Sequence, residues 1–108
     1  MIYELRVYHC LPGRLPDVNN RFKTITSKIW ERFGIQQVGY WTVLVGENSN
    51  DFVYMLAWKD LAERERLWPA FLADPEWMAA RAATETNGPL VASITNSFLT
   101  PTKYSALK

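Results

Sequence analysis

Val38-Gly39-Tyr40-Trp41-Thr42-Val43-Leu44-Val45 and Phe52-Val53-Tyr54-Met55-Leu56-Ala57-Trp58 are two β-rich runs separated by Gly46-Glu47-Asn48-Ser49-Asn50-Asp51. β-Branched and aromatic residues dominate both runs, and the spacer has turn composition, so the pair reads as a β-hairpin. Successive side chains on a strand point to opposite faces. Tyr40, Thr42 and Leu44 share one parity of the first run, and Trp41, Val43 and Val45 the other. In the second run Phe52, Tyr54, Leu56 and Trp58 oppose Val53, Met55 and Ala57. Both faces of the hairpin are therefore apolar, whereas a sheet with one wet face alternates to polar residues there.

The flanking sequence supplies the rest of the fold. Residues 2–9, Ile-Tyr-Glu-Leu-Arg-Val-Tyr-His, form a strand pattern with Tyr3, Leu5 and Val7 on one face and Glu4, Arg6 and Tyr8 on the other. Leu11-Pro12-Gly13 breaks it. Leu15, Val18, Phe22, Ile25, Ile29 and Phe33 then recur at helical spacing, with Pro16 in the first turn and Gly34 as the stop. After the hairpin, Asp60 and Glu63 have capping-box spacing and open a helix with Leu61, Leu67, Trp68, Phe71 and Leu72 inward, interrupted at Pro69. Asp74-Pro75 restarts it as far as Thr86. Asn87-Gly88-Pro89 ends the helix, Leu90 to Leu99 is the last strand, and residues 101–108 are a surface arm. The order is βαββαβ, so the expected fold is α+β and ferredoxin-like: a four-stranded antiparallel sheet with two helices on one face, spanning residues 1–100.

Two helices cover only one face of such a sheet. At about 25 cal/mol per Å², leaving several hundred Å² of the other face in water forgoes several kcal/mol. A patch of that size marks an interface, and the simplest cover is a second copy related by a two-fold axis. The expectation is a homodimer whose two sheets make an α/β barrel.

Composition narrows the function. The chain has 108 residues and a formal net charge of +1, with Lys and Arg dispersed, which argues against nucleic acid or an anionic membrane as partner. No apolar run reaches the ~20 residues of a membrane helix. The opening Met1-Ile2-Tyr3-Glu4-Leu5 has neither a basic n-region nor an Arg/Ser-rich leader, and the single cysteine, Cys10, suits a reducing compartment, so the cytoplasm is expected. No phosphate-cradling Gly-rich loop, nucleophile elbow or set of metal ligands stands out, and no metal or cofactor is expected.

The five Trp, five Tyr and five Phe are more rings than a small sheet readily hides. Tyr3, Tyr40, Trp58, Trp68 and Trp77 are the candidate ligand-binding set, with Trp41 beside them, because such rings line apolar pockets while offering one polar atom each. Core and interface filling is the plainer role for the same rings. Arg81 is placed to hold an acidic ligand at the mouth of such a pocket. His9, the lone histidine, is the catalytic candidate as a general base, although a hydrogen-bonded strand-end histidine weighs more. Glu4 and Arg6 are candidates for a buried ion pair facing the dimer barrel, where fixing the register outweighs catalysis.

The pieces Ile2 to Tyr8, Pro12-Gly13-Arg14, Phe33-Gly34-Ile35, Gly39-Tyr40-Trp41, Tyr54 to Trp58 and Asp74-Pro75-Glu76-Trp77, in that order, resemble the NIPSNAP domain. The resemblance implies a dimeric α/β-barrel fold. Families sharing that barrel include cofactor-free monooxygenases of aromatic polyketides, lactone isomerases and haem-binding enzymes, an analogy at the level of fold alone. No catalytic residue is carried over, because the NIPSNAP family has no agreed catalytic motif. Three functions follow as expectations. The first is a homodimer binding a small hydrophobic or aromatic molecule between sheet and helices, extending to cofactor-independent monooxygenation or isomerisation. The second is a non-enzymatic protein-interaction or stress-associated dimer. The third is haem binding, weakened because neither helix carries His or Cys.

Overall fold

The structure, a computed structural model, describes residues 1–108. Strands β1 (Ile2–Cys10), β2 (Gln36–Thr42), β3 (Asp51–Trp58) and β4 (Val91–Leu99) form one antiparallel sheet in the order β2-β3-β1-β4. The two apolar strands β1 and β3 occupy the centre. Helices α1 (Leu15–Arg21) and α2 (Ser27–Phe33) are joined without a break by a π-helical turn, Phe22–Thr26; α3 (Leu61–Leu72) and α4 (Pro75–Thr84) follow the hairpin. The βαββαβ order and the ferredoxin-like α+β fold are as expected from periodicity.

Local chemistry fixes the helix ends. Asp60 accepts from the backbone N–H of Glu63 at 2.9 Å and Asp74 from that of Trp77 at 3.1 Å, so each satisfies an otherwise unpaired donor. Gly34 closes α2 at φ 74°, a left-handed conformation that favours glycine.

The core lies between the helices and the face carrying Phe52, Tyr54, Leu56 and Trp58, each at most 1% exposed. Trp30 is its hub: the rings of Phe22, Tyr54, Phe71 and Trp68 lie with centroids 5.4–5.9 Å from it. The π turn explains why. One extra residue in a turn rotates everything beyond it, so Thr26 and Trp30 become buried while Ile25 is only half-buried.

Several expectations are corrected. The strand β2 stops at Thr42 rather than near Gly46, and Leu44 and Val45 stand 96% and 94% exposed in the loop, because Val43 onward has no strand partner. A bulge at Val38 places Gln37 and Tyr40 on the same, helix-covered face. Leu61 and Leu72 are exposed on α3, which buries Trp68 and Phe71 instead. Glu4 and Arg6 pair across the sheet with Leu56 and Tyr54, so they face the helices and not the open side.

No helix packs over the other face, which carries Leu5, Val7, Val53, Met55 and Trp41, the last 49% exposed. The Trp41 ring lies back over Gly39, where a Cβ would come within 2.9 Å of it. Edge strand β4 is exposed on both faces from Ala92 onward, Ile94 at 48% and Phe98 at 45% among them.

Candidate functional site

A cleft of about 440 Å³ opens between the β1–β4 half of the sheet and helices α3 and α4. Trp68 and Phe71 of α3 and Trp77 of α4 form its aromatic wall; Arg6 and Tyr8 of β1 and Ile94 of β4 form the opposite one, and Arg21 enters from the end of α1. The capping residues set this wall. Asp74 caps α4 two residues after α3 ends, and Phe71 and Trp77 meet at a centroid distance of 4.9 Å.

Cations are held against these rings. The Arg6 guanidinium stands 4.7 Å from the Trp68 centroid, and Arg64 covers the same ring at 5.1 Å. Arg21 lies 5.3 Å from the Trp77 centroid. Glu4, fully buried, anchors the group: Oε2 accepts from Arg6 Nη1 at 3.1 Å and Arg64 Nη2 at 3.2 Å, while Oε1 accepts from Trp58 Nε1 at 2.9 Å. Burial pushes the Glu4 carboxyl up, but the Arg64 and Trp58 hydrogen bonds and the charges of Arg64 and Arg6 outweigh it and hold the group below the ordinary carboxylate range.

A relay of hydroxyls starts at the same arginine. Arg6 Nε donates to the Tyr54 hydroxyl at 2.5 Å, which donates to the Tyr8 hydroxyl at 3.1 Å. Burial drives the Tyr54 hydroxyl far above its usual pKa, so it remains a neutral donor.

The structure brings Trp68, Trp77 and Arg81 together in the cleft. Arg81 is 61% exposed at the side chain, with Nε donating to Glu85 Oε2 at 3.0 Å. Tyr40 lies elsewhere, in a smaller hollow of about 240 Å³ with Phe22 and Phe52. Trp58 is sealed in the core. Tyr3 is buried on the opposite face of β1. His9 is on that opposite face too: Nδ1 lies 2.7 Å from Asp51 Oδ1 and Nε2 2.7 Å from Thr95 Oγ1. A carboxylate only accepts, so Nδ1 donates to Asp51, and both ring nitrogens are engaged by hydrogen-bond partners. His9 therefore has no route to the cleft. The buried Cys10 is also unsuited to nucleophilic chemistry, since burial pushes its thiol up. No three His, Cys, Asp or Glu side chains cluster in a way that could hold a metal.

Sequence reasoning missed Arg21, Tyr8 and the hub Trp30. Arg21 precedes Phe22, on the edge of the apolar stripe, and its charge masked that position.

The NIPSNAP family model matches residues 3–106. The chain belongs to the NIPSNAP family. Solved members have the same fold. An uncharacterised NIPSNAP-domain protein from Burkholderia xenovorans is 24% identical, with a TM-score of 0.84 over 97% of this chain and 98% of that one. A NIPSNAP family protein from Agrobacterium tumefaciens is 21% identical, with a TM-score of 0.88 over 99% and 98%. An antibiotic biosynthesis monooxygenase is 12% identical and superimposes with a TM-score of 0.61 over 94% of this NIPSNAP chain and 99% of its own, which establishes a shared fold. No curated protein matches the chain. No helix of this NIPSNAP protein is long and apolar enough to cross a membrane.

Proposed function

We propose that this NIPSNAP protein is a homodimer in which each subunit binds one small aromatic or hydrophobic molecule between sheet and helices. The observation that carries the reading is the cleft itself, about 440 Å³ and walled by Trp68, Phe71 and Trp77. That volume is in the range of small-ligand sites, and flat rings with a few fixed polar groups are the usual lining. Binding is favoured over catalysis. Glu85 is the only carboxylate lining the cleft, and it is engaged by Arg81 and Arg21, while His9 lies on the other face. A cofactor-independent oxygenation or isomerisation would need a proton acceptor there.

A thermal-shift series with 2-naphthol, 2-naphthamide and 2-naphthoate tests the binding. A ligand at a hundredfold its Kd stabilises the fold by about 2.7 kcal/mol, which raises Tm by several degrees. An unchanged Tm with all three at their solubility limits would contradict the reading.

The second copy is supported by the open sheet face. Val7 and Val53 pair at its centre beside Leu5 and Met55, and the exposed Trp41 flanks them. Light scattering at micromolar concentration is expected to give twice the 12.5 kDa of one chain, and Met55→Glu is expected to give the monomer by burying a charge at the joint. A wild-type species of 12.5 kDa would remove the dimer.

A further inference from the structure

We infer that the cleft carries an oxyanion subsite in which the Arg21 guanidinium and the Tyr8 hydroxyl hold the carboxylate of an aromatic acid. The inference rests on the cleft binding an aromatic molecule, and it names the charge that molecule bears.

Arg21 has only a share in one carboxylate, Glu85, which lies closer to Arg81. Arg21 is 5% exposed, and its Nε is buried with no hydrogen-bond partner. Its Nη1 meets only the Thr84 hydroxyl at 3.3 Å and Glu85 at 3.7 Å, the latter beyond hydrogen-bond distance. Glu85 sits instead at 3.0 Å from Arg81. The other buried arginine of the cleft, Arg6, is already paired with Glu4 at 3.1 Å. Burial accordingly pulls the pKa of Arg21 down, with Glu85 opposing, as expected of a cation short of countercharge. An arginine is a planar fork suited to a carboxylate.

Tyr8 supplies the second donor. Arginine has no lone pair, so the Tyr54 oxygen accepts from Arg6, and the Tyr54 hydroxyl in turn donates to Tyr8. The Tyr8 oxygen is then occupied as acceptor, and its own proton is free to be donated. Successive donation from a cation polarises that proton. Tyr8 and Arg21 both line the cleft, Arg21 against Trp77, and the aromatic wall of that cleft takes the flat part of the ligand. The π turn begins at Phe22, immediately after Arg21, and such turns recur where a helix presents a functional side chain.

Isothermal titration of the intact wild-type protein with 2-naphthoate and 2-naphthamide tests this, since the two have one shape and differ in charge. The acid is expected to bind at least about tenfold more tightly, as a charge-assisted contact provides. Arg21→Met should bring the acid to the affinity of the amide and leave the amide within about twofold. Tyr8→Phe, which keeps the ring and the fold, should weaken the acid more than the amide. Equal wild-type affinities, or an acid preference surviving in Arg21→Met and Tyr8→Phe, would overturn the subsite while leaving the binding cleft in place. Absence of binding by either compound would overturn the cleft reading and the subsite with it.

Discussion

Trp30→Ala is expected to lower stability by about 3–5 kcal/mol, the usual range for truncating a buried tryptophan. The indole is 1% exposed and joins two halves of the core. On one side it meets Phe22 and Tyr54, which continue to Tyr40 and Phe52; on the other it meets Trp68 and Phe71, which continue to Trp77. Removing it opens a cavity that rings on four sides cannot fill without leaving their own contacts. For a domain of this size the loss corresponds to a fall in Tm of about 15 °C or more. Because Trp68 and Phe71 also wall the cleft, ligand binding should weaken in the same variant. A melting temperature within about 5 °C of wild type would show that the helices dock without this hub.

Glu4→Gln is expected to cost about 3 kcal/mol at pH 7, since removing one member of a buried ionic group leaves its partners uncompensated. Glutamine has the same shape, so the loss is chemical. The carboxylate accepts from Arg6, Arg64 and Trp58, all donors, and an amide would turn an N–H toward one of them. The pH dependence gives a second readout. The carboxyl lies below its reference pKa of 4.5 in the folded protein, so the unfolded chain binds more protons as the medium turns acid. The Glu4 contribution is fully present above pH 4.5 and disappears as pH falls through the lower, folded value. Denaturant unfolding of wild type and Glu4→Gln should therefore differ most near neutrality and converge toward acid. Parallel curves across that range would assign the stabilisation to shape alone.

The Arg6–Glu4 pair also shows what was legible in the sequence. Alternation placed Glu4, Arg6 and Tyr8 on one face, correctly, but alternation has no sign, and the face they share is the helix-covered one. That single choice decides whether Tyr8 or His9 points at a ligand. The apolar stripe from Leu15 to Phe33 located the helix and its glycine stop. It did not reveal the π turn, because a helical stripe assumes 3.6 residues per turn throughout. The consequence is local: Trp30, one step off the stripe, becomes the core hub. Val43-Leu44-Val45 read as strand by propensity, yet pairing ends at Thr42 with Phe52, and β3 extends only one residue beyond, to Asp51. Strand propensity describes a surface that fits a sheet, and it cannot supply a missing neighbour. Trp68 and Trp77 were legible as ligand-facing candidates from composition, as apolar rings carrying one polar atom each. Tyr3 and Trp58 carried the same composition and lie elsewhere.

The cleft is the claim on which the functional account stands, and a crystal of the protein soaked with 2-naphthoate examines it most directly. Density is expected for the fused ring against Trp68 and Trp77, with the carboxylate toward Arg21 and Tyr8. A well-diffracting crystal in which the ring occupies any other place, or in which side chains fill the space between β4 and α4 and exclude it, would contradict the account.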